Sequence, residues 1–292
     1  MKVHILWVRH CESCSNVIIH SRYKNRWIMN IKQGFEIAPN CTLIGLIQSY
    51  MFGYHILPLL LNKYPQFKKI DLYCSLLKRT MITNKFVTHG FKKSKYKMRM
   101  SQKIERLCNI SEKKTPYDKI KGTQVNNVSK KISDKHSKEI NKTYKKTGKK
   151  ISKRIRKKTK KCEETNLNNF FEKILPSLSN KSLNLIVTHG VILKKVLKIS
   201  SLNNVDAVLV EHDTITGNFK IKEEIRNKTK LSNNDTSFKE IKKEIYNIHY
   251  RSKSINHKAS ITMDEFEKVL NSKLAKQLQL KKLDNEILCE RK

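Results

Sequence analysis

Two histidines stand where apolar runs stop. Val3-His4-Ile5-Leu6-Trp7-Val8 ends on Arg9-His10, and Leu183-Asn184-Leu185-Ile186-Val187-Thr188 ends on His189-Gly190. Neutral imidazole is a nucleophile at physiological pH, and an arginine beside it offers a permanently charged, planar fork suited to phosphoryl oxygens. Arg9 and His10 therefore have the chemistry of a phosphoryl acceptor and its clamp. The nearest rival is Cys11-Glu12-Ser13-Cys14, a C-x-x-C spacing that also suits a dithiol redox pair. Zinc fits less well, because no second close Cys or Cys/His pair supplies the remaining ligands.

Residues of this kind need a scaffold that brings strand ends together. Both runs are short, apolar and bounded by polar residues, so each reads as a buried strand with its histidine at the carboxyl end. Open sheets bind ligands at that end, where a following helix also presents free N–H groups to an anion. The remaining pattern alternates: strand 3–8, a helix from about 13, turns through Gly34 and Pro39, a helix near 42–61 and a strand at 70–74. A helix from about 76 and a short strand near 96–100 follow. Later come a helix at 168–176 ended by Pro176, strand 183–188, a helix at 190–199, strand 207–210 and a turn at Gly217. Such alternation predicts an α/β fold with a mainly parallel sheet and helices on both faces.

Composition sets the outer limits. The 292 residues carry 62 basic and 25 acidic side chains, a formal net charge of +37. This field favours polyanions, although abundant Lys, Asn and Ile together are also what an AT-biased coding sequence produces. Residues 113–165 are rich in Lys, Ser and Thr and nearly free of aromatics, which predicts a basic, low-complexity insertion without a core of its own. Residues 1–221 thus read as one α/β unit interrupted by this insertion. Residues 222–292 read as a lysine-rich, partly helical extension with an amphipathic helix from Met263 to Leu280 capped by Thr262. No run approaches the roughly 18 apolar residues of a membrane span. Seven cysteines, an odd number, argue against a secreted disulfide framework, so an intracellular, reducing and cytoplasmic setting is expected.

Four segments, in order, carry a resemblance. Arg9-His10-Cys11-Glu12-Ser13 with Asn16 resembles the Arg-His-Gly-Glu-Ser motif of the histidine phosphatase superfamily, the phosphoglycerate-mutase-like proteins. Cys41-Thr42-Leu43-Ile44-Gly45-Leu46-Ile47-Gln48-Ser49 resembles its Leu-Thr-x-x-Gly-x-x-Gln-Ala segment. Ser75-Leu76-Leu77-Lys78-Arg79-Thr80-Met81-Ile82-Thr83 resembles Ser-Pro-Leu-x-Arg-Ala-x-x-Thr, and Thr188-His189-Gly190 resembles the second-histidine motif. The match spans roughly residues 3–215. Cys11, Cys41, Leu76 and Thr80 depart from it, and Cys11 places a side chain where the family has glycine next to the histidine.

The resemblance implies a phosphomonoesterase working through a phosphohistidine on His10, with no metal or other cofactor. By similarity, Arg9, Arg79 and His189 would bind the phosphoryl oxygens and Asn16 would line the pocket. Glu105 would protonate the leaving oxygen, with Glu112 as the alternative donor. The segment 17–40 shows no mutase-type substrate loop, so hydrolysis is favoured over mutase activity. The partner is then a phosphorylated substrate. The reading from a different class is a catalytically degenerate fold whose basic surface binds nucleic acid or another polyanion.

Overall fold

The computed structural model describes residues 1–13, 16, 41–107, 109–111, 167–200, 202–228 and 248–277. The expected helix after 13 (apart from Asn16), the turns at Gly34 and Pro39, the basic insertion 113–165 and Glu112 lie outside the described residues, as does Cys14.

The centre is β1 (Lys2–Arg9), whose fully buried Ile5, Leu6, Trp7 and Val8 leave it no solvent face. On one side it pairs in parallel with β5 (Ser182–Thr188), and β5 pairs in parallel with β2 (Lys69–Ser75). Two short strands, β3 (Arg99–Met100) and β4 (Glu105–Leu107), add to β2, also in parallel. On the other side of β1 every pairing is antiparallel: β6 (Ala207–Asp213), β7 (Phe219–Asn227), β8 (Tyr250–Ser252) and β9 (Asn256–His257). The strand order is β3-β2-β5-β1-β6-β7-β8-β9. The sheet is therefore mixed, and the expectation of a mainly parallel one is corrected. A buried apolar run such as Ala207–Val210 looks the same in either direction once both faces are covered.

Helices cover both faces, as the alternation predicts. One face packs Leu6 and Val8 against α1 (Leu43–Met51), α2 (Leu57–Lys63) and α3 (Lys78–Lys93). A π-helical turn, Phe52–Ile56, joins α1 to α2 just ahead of Pro58, whose ring cannot donate to the helical ladder. Where this rod crosses α3, Gly53 and Gly90 permit backbone contact: a Cβ on Gly90 would lie 2.1 Å from the Tyr50 carbonyl oxygen. Leu43–Lys63 is long and apolar enough to cross a membrane by length and composition, yet 78% of that window is buried inside the fold. It is a core helix. The opposite face packs Ile5 and Trp7 against Phe170 and Leu175, which follow the short α4 (Leu167–Asn169), and against α5 (Gly190–Leu197).

The C-terminal region shares this core. Residue 222 falls inside β7, and Tyr250, Ile261, Phe266 and Val269 are buried in the same cluster as Leu6. The predicted helix from Met263 forms as α6 (Met263–Leu270) with Thr262 and Glu265 as a capping box, but it ends at Leu270, and α7 (Lys273–Gln277) follows. The cysteines also differ from expectation: Cys11 is disulfide-bonded to Cys41, with their Cα atoms 5.7 Å apart. The odd count and the C-x-x-C spacing both pointed away from this pair, which only the β1 to α1 geometry brings together.

Candidate active site

Arg9 and His10 leave β1 at its carboxyl end, beside the end of β5, and the His10 N–H donates to the Thr188 carbonyl at 2.9 Å. Ser75 ends β2 next to them. Beyond it Leu76 and Leu77 lead into α3, whose first turn carries Arg79; His189 is the residue on which α5 starts. Three parallel strands thus aim their carboxyl ends at one point, and two helices begin there with their positive ends.

The hydrogen bonds fix the protonation of both imidazoles. His10 Nδ1 lies 2.6 Å from the Cys11 carbonyl oxygen, which can only accept, so Nδ1 carries the proton. Its Nε2 is then a bare lone pair, and Arg79 Nε donates to it at 3.2 Å. The same arginine donates from Nη2 to His189 Nδ1 at 3.3 Å, so His189 is protonated at Nε2 and donates to Ser75 Oγ at 2.7 Å. The two rings meet edge to face with centroids 5.2 Å apart. Both are buried, at 3% and 0% exposure. Burial holds each histidine well below its ordinary titration range; His189, Arg79 and Arg9 add to this at His10, and Arg79 and Arg9 add to it at His189.

Arg9 is held from behind. Its Nη1 donates to the Leu202 carbonyl, and Gly190 leaves space for its side chain: a Cβ there would lie 3.2 Å from Arg9 Nε. The backbone around His10 is equally fixed. Cys11 N–H donates to Thr83 Oγ1 at 2.7 Å, and Thr83 Oγ1 donates to the Arg79 carbonyl at 2.8 Å. The Thr42 N–H and hydroxyl both donate to Glu12, at 2.9 and 2.6 Å, while the Thr42 hydroxyl also caps α1. Both sulfurs of the Cys11–Cys41 bridge rest 3.7–3.8 Å from the Arg79 carbonyl oxygen.

Of the residues singled out from sequence, Arg9, His10, Arg79 and His189 come together. Asn16 stands beside them; its Oδ1 accepts from Ser13 N–H at 3.1 Å and from Ser13 Oγ at 2.8 Å. Glu105 does not join the cluster. It pairs with Tyr73, two residues before Leu107 comes level with Ser75, so it sits ~6.6 Å back along the strand and is exposed. The turn 109–111 is what reaches the strand ends: Thr188 Oγ1 donates to the Ile110 carbonyl at 2.6 Å, and Ser111 Oγ accepts from Leu76 N–H at 2.9 Å.

Sequence reasoning missed Ser75 as the partner of His189, although it was already inside a quoted motif. It also missed Asn204, whose Nδ2 lies 3.0 Å from the His10 carbonyl oxygen, and Asp206, a buried carboxylate whose pKa burial raises to about 6. No group of three or more His, Cys, Asp or Glu fit to hold a metal occurs among the described residues.

No protein-family model matches the chain, and no curated protein matches it. Among solved structures it is similar to a phosphoglycerate mutase from Bacillus anthracis str. Sterne, at 13% identity, covering 76% of this chain and 92% of that one with a TM-score of 0.39. It is similar to a mycobacterial glucosyl-3-phosphoglycerate phosphatase at 10% identity, covering 76% and 98%, with a TM-score of 0.38. A phytase from Klebsiella sp. ASR1 matches at 10% identity over 78% and 82%, with a TM-score of 0.36.

Proposed function

We propose that this chain is a phosphomonoesterase of the histidine phosphatase type, with His10 as the phosphoryl acceptor. The observation that carries the reading is the neutral His10 Nε2 lone pair, buried and facing the Arg79 guanidinium. A nucleophile of this kind must stay unprotonated while surrounded by groups that welcome an anion, and burial among arginines does both.

In the proposed reaction a phosphate monoester displaces the Arg79 Nε–H from His10 and takes over the donors of Arg79 and Arg9. The His10 Nε2 lone pair forms the N–P bond as the P–O bond to the alcohol breaks, and the alcohol oxygen leaves with the electron pair. His189, protonated on Nε2 and held by Ser75, presents its Nδ1 side to Arg79 and keeps that guanidinium aimed at the transferred group. Water then attacks phosphorus, returns the lone pair to Nε2 and releases inorganic phosphate. Asn16 lines the pocket in this reading. The leaving oxygen of an alkyl ester needs a proton, and Glu105 would have to cross from its exposed strand to give it; an aryl oxygen departs without one.

The test is hydrolysis of p-nitrophenyl phosphate by wild type and His10→Asn, with trapping of acid-labile phosphate on the protein. Turnover and a trapped phosphoenzyme in wild type alone support the reading; folded wild type without turnover refutes it. The reading as a polyanion-binding module is favoured by two observations, Glu105 standing apart from the histidine cluster and the +37 charge. It predicts salt-sensitive binding of heparin or nucleic acid that His10→Asn leaves intact.

A further inference from the structure

The loop Leu202–Asp206, which the sequence reading gave no role, is tied to Arg9, His10 and Cys11 in turn. The Arg9 N–H donates to the Asp206 carbonyl at 2.9 Å, the Val205 N–H donates to the Arg9 carbonyl at 3.1 Å, and Arg9 Nη1 reaches the Leu202 carbonyl. From its middle, Asn204 Nδ2 donates toward the carbonyls of His10 and Cys11 at 3.0 and 3.1 Å, with Asn16 Oδ1 at 3.3 Å. We propose that Asn204 is a positioning residue that maintains His10 in its nucleophilic tautomer by holding the Cys11 carbonyl against the His10 Nδ1–H. This inference rests on the phosphoryl-transfer reading of the site.

The argument starts from the carbonyl. A carbonyl oxygen has two lone pairs; one on Cys11 accepts from His10 Nδ1 at 2.6 Å, and Asn204 Nδ2 occupies the other. If that carbonyl rotates away, the Arg79 Nε–H at Nε2 still favours this tautomer in the resting site, but a phosphate ester displaces that donor; nothing then selects between the two neutral tautomers, and the form protonated at Nε2 cannot attack phosphorus. The backbone around Asn204 is built for this delivery. Val205, a β-branched residue, adopts φ +60°, a left-handed conformation that costs free energy and persists only when its surroundings over-determine it. Those surroundings are specific. Buried Asp206 accepts from the N–H groups of Asn203, at 2.6 Å, and Asn227, while Asn227 Nδ2 donates to the Asn204 carbonyl at 3.1 Å. The loop is thus fixed by contacts that do not involve His10, and the Asn204 amide is the group it extends toward the nucleophile.

The test uses the full-length protein with Asn204→Asp, which keeps the shape and removes the donor, and Asn204→Ala, which places no charge there. Both are read by ¹⁵N spectra of histidine-labelled protein and by p-nitrophenyl phosphate kinetics. Wild-type His10 should show a protonated Nδ1 and a bare Nε2. In the variants, with inorganic phosphate bound in place of the Arg79 Nε–H, these signals should move toward a mixture of tautomers, and kcat should fall about tenfold with KM within about twofold. Folded variants with an unchanged His10 spectrum and an unchanged kcat would overturn the proposal. A wild-type Asn204 side-chain amide that exchanges its protons as fast as a surface amide would also overturn it, and that measurement needs no variant to fold. Absence of turnover in wild type with a tautomer shift in the variants would instead refute the phosphatase reading and keep the positioning role.

Discussion

Acidification from pH 6.5 to 5.5 should destabilise this protein through its buried imidazoles, in a window where ordinary carboxylates are still ionised. His10, His189 and His212 are all held below the ordinary value of 6.5 by burial, His212 at about 4. A histidine with a depressed folded-state pKa contributes stability that is present above the unfolded value and lost as pH falls, because the unfolded chain takes up a proton that the native state refuses. Across this one unit each such group costs about 1 kcal/mol. Asp206 works in the opposite sense: its folded-state pKa is raised to about 6, so the native state gains a proton on acidification and returns a little under 1 kcal/mol. The net loss from these four groups is about 2 kcal/mol, a visible fraction of a typical 5–15 kcal/mol. Urea unfolding at closely spaced pH values measures it, with a His10→Asn/His189→Gln double variant as the control. Asn keeps a donor at the Nδ1 position and Gln keeps one at the Nε2 position, so the hydrogen bonds to Cys11 and Ser75 survive while both titrations vanish. The double variant should lose about 2 kcal/mol less than wild type over the same interval. Equal losses in the two proteins would refute the account of the site as a pair of buried neutral histidines.

Gly190→Ala should raise KM for an aryl phosphate severalfold and leave thermal stability nearly unchanged, because the new Cβ meets the Arg9 side chain at 3.2 Å rather than backbone; steady-state kinetics beside a melting curve checks it. Opening the Cys11–Cys41 bridge, whose partners are 30 residues apart, should lower unfolding free energy by about 4 kcal/mol in a chain-entropy estimate. Urea unfolding with and without reductant reads that loss, and peptide mapping without reductant should recover the linked pair. Tyr250→Phe should cost ~1–2 kcal/mol, since the buried hydroxyl donates to the Gln48 carbonyl at 2.8 Å, and should leave turnover unaffected. A stability change of zero there would argue against the C-terminal strands belonging to the main core.

The legible part of the site was the part written in strand ends. Arg9, His10 and His189 follow buried apolar runs, and Arg79 lies a few residues past the end of another, so their meeting needs only that three parallel strands end together. The resemblance puts Glu105 in the segment that follows the third motif, whereas the register of β4 on β2 decides where it stands, and no residue pattern in 104–107 encodes that register. The Cys11–Cys41 bridge was hidden for a similar reason, since pairing depends on how the chain after His10 returns to the start of α1.

Asn204 shows the more general cause. Its contact with His10 spans 194 residues, and an Asn-Asn pair in a loop carries no signature of a partner that remote. What brings it there is the direction of β6. A strand parallel to β1 would start at the amino end of the sheet and leave residues 202–206 at the opposite edge from His10. Because β6 is antiparallel, Ala207 begins opposite Val8, and the loop just before it is delivered to the carboxyl end, against Arg9, His10 and Cys11. The misjudged strand direction is therefore also what supplies the nucleophile with its positioning residue. Strand direction here is a determinant of the chemistry, since reversing β6 would keep every buried side chain of Ala207–Val210 apolar and covered yet take Asn204 away from the Cys11 carbonyl.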